Sequence, residues 1–338
     1  MERNRGYHLL MTVLLILFAG LSFMAVCIGR YSVNPLDVIH AIADRITGAP
    51  PRDPSMDIVF FNIRIPRVLA ALLIGAALSI SGAVYQSVFK NPLVSPDILG
   101  VSNGACVGAA LAILLGTGIL MQQMLAFAGG IIAVLIAIAI PRIMKNDSNL
   151  MLVLSGTIVS AFMCSILGIM KFVAEEDTEL SAIVYWQMGS LSGIKMKEVA
   201  TVFPVIFICG LALVLLSWRL NILSFGEYEA RSLGVNLKLL RGLCVAGASM
   251  MTAASVCLSG TISWLGLIIP HLGRLLVGSD NTKLMPVSVV LGALFMLLID
   301  TAARTLTSME IPISILTGLI GAPIYAWLLY KQKAQVTQ

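Results

Sequence analysis

Residues 63–108 read IRIPRVLAALLIGAALSISGAVYQSVFKNPLVSPDILGVSNGACVG, and this stretch decides the fold class. Residues 68–89 carry no charge, and about 20 apolar residues are enough to cross the hydrocarbon core of a bilayer. Arg64 and Arg67 stand three positions apart just before this run, so they share one face of a helix that begins near Ile65. The stretch therefore predicts a transmembrane helix with two arginines at its mouth.

Small residues recur inside this helix and in the apolar segment that follows it. They are Gly75, Ser79, Gly82, Ala83, Gly104 and Gly108. Small side chains let helix backbones approach closely in a membrane, where lipid supplies no hydrophobic drive for helix association. The pattern predicts that both segments pack inside a helix bundle.

Two prolines interrupt the polar segment KNPLVSPDILG between the two apolar runs (residues 90–100). Pro92 and Pro96 each disfavour helical backbone in the residue before them. Irregular backbone near a membrane has to be buried in protein or line a water-filled cavity, because lipid cannot satisfy its polar groups. The segment is either a hinge beside a pathway or an ordinary polar turn, and the spacing alone leaves both interpretations open.

Several motifs in this chain resemble the signature of the FecCD-type permeases, the membrane subunits of type II ABC importers for iron siderophores, haem and cobalamin. The motifs are Arg64-Ile-Pro-Arg67, Gly75-Ala-Ala, Asn91-Pro-Leu93, Leu99-Gly-Val-Ser-Asn-Gly104, Gly260-Thr-Ile-Ser-Trp-Leu-Gly-Leu-Ile-Ile-Pro-His271, and Thr317 with Gly321-Ala-Pro323. They are spread over nearly the whole chain. The resemblance implies a membrane permease.

Composition places the chain among polytopic membrane proteins without help from the motifs. Of its 338 residues 58% are hydrophobic and 12% charged, and the mean hydropathy is +0.96. A soluble domain is about 45–50% apolar and 25% charged. The apolar runs that qualify as candidate spans cover residues 9–29, 65–89, 99–115, 124–140, 150–172, 199–218, 243–259, 262–276, 285–306 and 311–330. They predict an all-α polytopic membrane protein of about ten transmembrane helices, forming one permease domain over residues 1–338.

The distribution of basic residues predicts the side on which each loop lies, because Lys and Arg concentrate in short cytoplasmic loops. With both termini in the cytoplasm, 13 of the 22 Lys and Arg residues fall inside and nine outside. The outer loops then cover about residues 30–64 and 173–198, and the longest inner loop covers about residues 220–241. Segments 73–83 and 245–255 are similar and run in opposite directions in this topology, which predicts an inverted internal repeat.

The resemblance implies three sets of functional residues. Arginines at the outer helix mouths would receive glutamates of a substrate-binding protein, and they are Arg64, Arg67 and Arg304. An inner gate would contain Asn91, Pro92, Leu93, Ser148 and Asn149. A coupling segment that docks into a cleft of the ATPase would contain Phe225, Gly226, Glu229, Ala230, Arg231, Leu233 and Gly234. From the residues alone, two alternatives stay open: the arginines as snorkelling anchors and the inner loop as a solvated connector.

The predicted function is the permease subunit of an ABC importer in a bacterial cytoplasmic membrane. The chain has no G-x-x-x-x-G-K-[ST] motif, so it is not expected to hydrolyse a nucleotide by a P-loop mechanism. As a permease subunit it is expected to be no enzyme and to hold no cofactor, with ATP on separate subunits. Its six cysteines form no C-x-x-C pair and predict no metal site. The partners implied are a second, identical or paralogous permease, two ATPases on the cytoplasmic face, an extracytoplasmic binding protein and a ferric siderophore or similar chelate, with no nucleic acid.

Two other functions remain as alternatives. An intramembrane enzyme would have to use His271, Asp300 and the hydroxyl-rich helices, which are its only candidates. Asp300 and Arg304 stand four positions apart on one helix face, so they are either a functional pair or an acid and a base that neutralise each other. A passive channel is disfavoured because no repeated ring or filter sequence appears.

Overall fold

The computed structural model describes residues 2–29, 31, 33–146, 148–225 and 236–336, and these residues form helices and connections without a strand. The helices are α1 (Glu2–Cys27), α2 (Pro35–Thr47), α3 (Pro54–Ile58), α4 (Ile65–Phe89), α5 (Val101–Leu114), α6 (Ile119–Ile143), α7 (Asn149–Val173), α8 (Ser181–Met188), α9 (Met196–Leu215), α10 (Ser217–Phe225), α11 (Leu237–Ser259), α12 (Leu265–Val277), α13 (Asn281–Thr305) and α14 (Ile313–Val336). A turn of π-helix, Val59–Arg64, leads into α4.

Ten of these helices coincide with the ten predicted spans. Seven are long and apolar enough to cross a membrane, namely α1, α4, α6, α7, α9, α11 and α13. The three shorter apolar helices are α5, α12 and α14. The all-α polytopic fold expected from the sequence is therefore confirmed.

The centre of the bundle is α4, which packs against α9, α11, α12 and α13. Its glycines make these contacts close, as the small-residue pattern predicts. A Cβ atom added to Gly75 would lie 2.2 Å from the carbonyl oxygen of Gly292 on α13. One added to Gly82 would lie 1.9 Å from the carbonyl oxygen of Gly266 on α12. Any side chain at either glycine would force the helices apart.

Helices α4 and α11 each pack on the helices that follow the other one in the chain. Helix α4 packs on α12 and α13, which follow α11, whereas α11 packs on α5 and α6, which follow α4. This reciprocal pattern is the one that an inverted repeat produces.

Hydrogen bonds between loops show that α4 and α11 run in opposite directions. The end of α11 lies beside α8, because the backbone N–H of Ser190 donates to the carbonyl of Ser259 at 2.8 Å. The N–H of Ile313 donates to the carbonyl of Gly189 at 3.0 Å, which brings the start of α14 to the same place. Glu310, just before α14, pairs with Arg67 in the first turn of α4. The end of α11 and the start of α4 therefore share one face of the bundle, here called the arginine face.

The opposite face, here called the hinge face, holds the segment between α4 and α5. Helix α14 runs from the arginine face towards this one, and the hydroxyl of Tyr325 at its middle lies 3.5 Å from the carbonyl of Pro92. Near the start of α1, Tyr7 lies under the ammonium of Lys283 on α13, 5.6 Å from the ring centroid. The two ends of the described chain thus lie on the same face, while predicted outer loops 30–64 and 173–198 lead to the arginine face.

Candidate functional site

Two arginines on the arginine face bind the end of α1. Arg64 Nη1 donates to the carbonyls of Val26 at 2.6 Å and Cys27 at 2.7 Å. Arg304 Nη1 donates to the carbonyl of Ile28 at 2.6 Å. The last carbonyls of a helix have no partner within the helix and carry partial negative charge, so two guanidinium groups stabilise this helix end.

A glycine makes room for both groups. A Cβ atom added to Gly29 would lie 2.7 Å from Arg64 Nη2 and 3.2 Å from Arg304 Nη1. Gly29 therefore allows the π-helical turn before α4 and the end of α13 to bind the same turn of backbone with one arginine each.

Arg67 forms the centre of a buried ion-pair cluster. Its Nε donates to Asp300 Oδ1 at 2.9 Å, and its Nη1 and Nη2 donate to the two carboxylate oxygens of Glu310 at 2.8 and 3.0 Å. The side chain of Asp300 is fully buried, whereas that of Glu310 is 31% exposed. A buried carboxylate is costly unless it is paired and hydrogen-bonded, and the bidentate fork is the strongest form of that pairing.

Asp300 is neutralised mainly by Arg67 and only secondarily by Arg304. Arg304 Nε lies 3.7 Å from Asp300 Oδ2, too far for a hydrogen bond, and that nitrogen has no hydrogen-bond partner among the described residues. Of the two interpretations open from the sequence, the structure supports a structural pair, but with a different base. Sequence reasoning missed the partnership of Arg67 with Asp300 and Glu310. The signal available was an acid, Glu310, placed directly before the last apolar run.

The structure brings the three predicted docking arginines together on one face, yet each side chain is turned inward. Arg64, Arg67 and Arg304 are 5%, 7% and 8% exposed. Their described partners are backbone carbonyls, the two acids named above and the hydroxyl of Thr301. Their role in binding a partner protein stays a prediction.

The predicted gate residues lie together on the hinge face. Helix α4 ends at Phe89 and is followed by Lys90, whose φ of 52° is left-handed. The side chain of Asn91 then accepts a hydrogen bond from the N–H of Leu93 at 2.9 Å. Leu93 is 55% exposed. This local turn presents an apolar side chain at the end of the central helix.

The other two gate residues come from the start of α7. Ser148 Oγ caps the helix by accepting from the N–H of Met151 at 3.2 Å. Asn149 Nδ2 donates to the carbonyl of Val88 at 3.3 Å, which fastens α7 to the last turn of α4. The five residues are therefore neighbours in space, and their function as a gate stays a prediction.

The coupling segment lies almost entirely outside the described residues. Helix α10 ends at Phe225, whose side chain is not among those described, and Gly226, Glu229, Ala230, Arg231, Leu233 and Gly234 all fall within residues 226–235. The helix that leads into the segment is described. Its residues Leu220 and Leu223 are buried in the main core.

Asn221 ties α10 to the start of α13, a link that sequence reasoning did not find. Its Nδ2 donates to Asp280 Oδ1 at 2.7 Å, and its Oδ1 accepts from the N–H of Asn281 at 2.8 Å. Partial burial acts to raise the pKa of Asp280, but hydrogen bonds from Thr282 and Asn221 outweigh it and hold the pKa below its ordinary value. The ionised Asp280 thus holds the inner loop against the bundle.

Comparison with known proteins agrees with these features. The model of the FecCD transport family matches residues 14–331. The chain belongs to this family. The FecCD permease is 39% identical over 325 residues to the molybdate import system permease protein MolB of Haemophilus influenzae, covering 96% of this chain and 95% of MolB.

Two further similarities bear on the cargo and the fold. A Helicobacter pylori protein named "Probable iron chelatin transport system permease protein" is 43% identical over 279 residues, covering 82% of the FecCD permease and 84% of the relative. A solved structure described as "An inward-facing conformation of a putative metal-chelate type ABC transporter" superposes with a TM-score of 0.86 at 37% identity, over 95% of this chain and 99% of that one.

Family membership settles the broad activity. The FecCD permease is the membrane subunit of a type II ABC importer, and its relatives are named as permease proteins of import systems. Such subunits are not themselves enzymes, in keeping with the missing P-loop motif.

Proposed function

We propose that the chain carries a ferric siderophore or a similar metal chelate across a bacterial cytoplasmic membrane. The observation that supports this cargo is the likeness to a permease named for iron chelatin, at 43% identity, together with the likeness to a metal-chelate type transporter at a TM-score of 0.86. ATP is bound by partner subunits, and this chain supplies the pathway.

A second candidate cargo is molybdate. The relative MolB is 39% identical over 96% of this chain, a longer match than that to the iron chelatin permease. An oxyanion is smaller than a chelate and more strongly hydrated, so the two cargoes make different demands on the same pathway.

The pathway lies between two permease subunits, identical or paralogous, related by a two-fold axis. One feature that supports this arrangement is a face of α7 made of small, exposed side chains. The face consists of Thr157, Ala161, Cys164, Ser165 and Gly168. Their spacing of three and four residues puts them on one side of the helix, and small residues suit close contact with another helix or a hydrated pathway.

The two faces of the bundle receive different partners. An extracytoplasmic binding protein docks on the arginine face through Arg64, Arg67 and Arg304, and two ATPases bind the hinge face, which is cytoplasmic along with both termini. The excess of Lys and Arg in segments that lead to the hinge face supports this orientation. The segment 220–241 transmits ATP-driven motion, and the tie from Asn221 to Asp280 gives that motion a route into α13.

Uptake measurements test the cargo. A deletion strain complemented with this chain is assayed with labelled ferric siderophores, cobalamin and molybdate. Restored uptake of a ferric chelate alone supports the proposal, and restored uptake of molybdate alone replaces it with the second candidate. ATP turnover by the cognate ATPase that rises only with the permease present separates an importer from an enzyme acting alone or a channel that conducts without nucleotide.

Coupling is tested by substitutions in the inner loop. Gly234→Leu or Glu229→Arg uncouples transport from ATP turnover while the permease still inserts and folds. Met144→Ala, an exposed position that follows α6 on the same face, serves as the control. Normal uptake in both loop variants removes the segment from the mechanism.

A further inference from the structure

A basic pocket of about 390 Å³ opens on the hinge face, where α4, α10, α12, α13 and α14 meet. The side chains that give it its character are Lys90, Arg274, Lys331 and His271. Asn91 and Pro92 of the predicted gate form part of the same wall. The pocket therefore joins three positive charges to the end of the central helix.

The three cations have no acidic partner among the described residues. Arg274 donates to the neutral side-chain oxygen of Gln86. The ammonium of Lys331 lies over the ring of Trp327, 5.3 Å from its centroid. The acid at the neighbouring start of α13, Asp280, is instead held by Asn221 and Thr282. Three clustered cations that meet no counter-charge within the described part of the chain are complementary to an anion from outside it.

A buried histidine in the pocket also points to a ligand from outside the chain. His271 lines the pocket, is only 7% exposed, and has an Nδ1 atom without a hydrogen-bond partner among the described residues. A buried polar atom without a partner costs free energy that a bound polar group would recover. The described residues thus leave a polar position in the pocket open to a ligand.

The surroundings of the pocket are apolar and exposed. Leu275 and Leu276, which follow Arg274 on α12, are 49% and 52% exposed, and Trp327 on α14 is 55% exposed. Tryptophan beside lysine at the end of an apolar helix is typical of the depth of lipid headgroups. A ligand with a charged head and an apolar body would match both parts of this surface.

We propose that the pocket binds the phosphate headgroup of an anionic phospholipid of the inner leaflet. Basic pockets between transmembrane helices on the cytoplasmic side suit such headgroups. The phosphodiester of a phospholipid carries one negative charge on two non-bridging oxygens, which can accept hydrogen bonds from an arginine fork and an ammonium group. A protein carboxylate has the same charge but lacks the acyl chains that match the exposed Leu275, Leu276 and Trp327. Bound there, the lipid steadies the gate segment at Asn91 and Pro92. The inference rests on the proposed orientation, in which the hinge face is cytoplasmic.

The test uses the purified full-length permease in nanodiscs of phosphatidylglycerol mixed with phosphatidylcholine. Native mass spectrometry after release into detergent counts the lipids retained per chain. Wild type retains phosphatidylglycerol in preference to phosphatidylcholine, and Lys90→Gln with Arg274→Gln lowers that retention roughly five-fold for each charge removed. Lys145→Gln is the matched control. Lys145 also follows a helix end on this face with a left-handed backbone conformation, but it does not line the pocket.

Additional measurements identify the source of the anion and check that the variants are folded. Lys331→Gln alone, at an exposed position, is measured beside the double variant, and thermal unfolding checks that each variant folds. Equal retention of the two lipids, or equal retention by wild type and variants, overturns the proposal. So does saturation of the site by inorganic phosphate with no preference for the lipid. A variant that keeps its lipid but loses affinity for the purified ATPase assigns the pocket to that protein instead. None of these readouts depends on cargo or uptake.

Discussion

Arg67 and Asp300 are separated by 233 positions in the chain and meet at 2.9 Å inside the membrane-spanning bundle. The contact joins the first turn of the central helix α4 to α13, and it leaves Arg67 enough donors to hold Glu310 as well. The arginine is therefore shared between a fully buried acid and a partly exposed one.

Removal of the buried acid should destabilise the permease strongly. Asp300→Asn leaves Arg67 without one of its partners and Arg304 without its ion pair, and breaking a buried pair costs about 3–5 kcal/mol. The expected result is a lower midpoint of thermal unfolding in detergent, with Asp177→Asn in an exposed loop as the control. An Asp300→Asn variant that melts with wild type would show that the cluster adds nothing to stability.

The partly exposed acid should compete with the binding protein for Arg67. Glu310→Gln weakens the internal fork and frees two donors at the arginine face, so affinity for the binding protein should rise about two- to five-fold at low salt, within the 0–1 kcal/mol of an exposed pair. Surface binding assays at two salt concentrations measure it, with Glu176→Gln as the control.

Reversal of the charge on two of the arginines should weaken docking of the binding protein. Arg64→Glu with Arg67→Glu is expected to lower binding-protein affinity and uptake in a salt-sensitive way, with partial recovery when acids of the partner are reversed. Because Arg67 also neutralises Asp300, the folding of that double variant has to be checked by thermal unfolding. Unchanged affinity at low salt in both this variant and Glu310→Gln would leave the arginines with a structural role alone.

The gate assignment can be tested at an exposed side chain. Leu93→Ala should leave stability within about 0.5 kcal/mol, as exposed substitutions generally do, while raising ATP turnover without cargo or making the pathway leaky. Leu115→Ala, also exposed but at the other end of α5, is the control. Tight coupling and unchanged leak in Leu93→Ala would favour a plain polar turn.

The close approach of α4 and α12 predicts a sharp difference between two glycines. Gly82→Ala drives a methyl group against the carbonyl of Gly266 and should cost about 1–3 kcal/mol or more, because backbone has to shift. Gly20→Ala on α1, where nothing lies within 4 Å, should be neutral or slightly stabilising. Equal unfolding midpoints for the two variants would refute the packing.

Acid should loosen the tie between α10 and α13. The folded pKa of Asp280 is lowered, so its contribution to stability is full above its ordinary pKa of about 4 and is lost as the pH falls through the lower folded value. Asp280→Asn can still cap α13 but no longer ionises. The stability lost between pH 5 and pH 3 should therefore be smaller in this variant than in wild type, and an identical loss would contradict the assignment.

Much of the fold follows from local pattern, because a span needs only a run of apolar residues. Even the short helices α5 and α12 are visible as short runs. Their starts are fixed by left-handed residues, Gly100 with φ 78° and Trp264 with φ 68°, and the second of these could not be read from composition. Glycines reveal that a helix face is packed closely but not which helix meets it.

The contacts of the candidate site are harder to predict from the sequence, for a related reason. Sequence places Arg64, Arg67 and Arg304 at helix mouths, but whether a guanidinium faces outward depends on competing acceptors nearby. Here those acceptors are the last carbonyls of α1 and two acids more than 230 positions away from Arg67. Such partners are set by tertiary packing, and no local spacing encodes them.

The distance along the chain between Arg67 and its acids also sets the delay between their synthesis on the ribosome. Ribosomes add about 5–20 residues per second, so roughly 10–50 s pass between the emergence of Arg67 and that of Asp300 and Glu310. During this interval α4 has an arginine at its mouth with neither counter-ion yet made, and it lacks the helices that later bury it. The insertion machinery, or water at the membrane surface, has to solvate that charge in the meantime. A ribosome stalled before α13 would therefore leave a nascent chain in which Arg67 has neither of its acids.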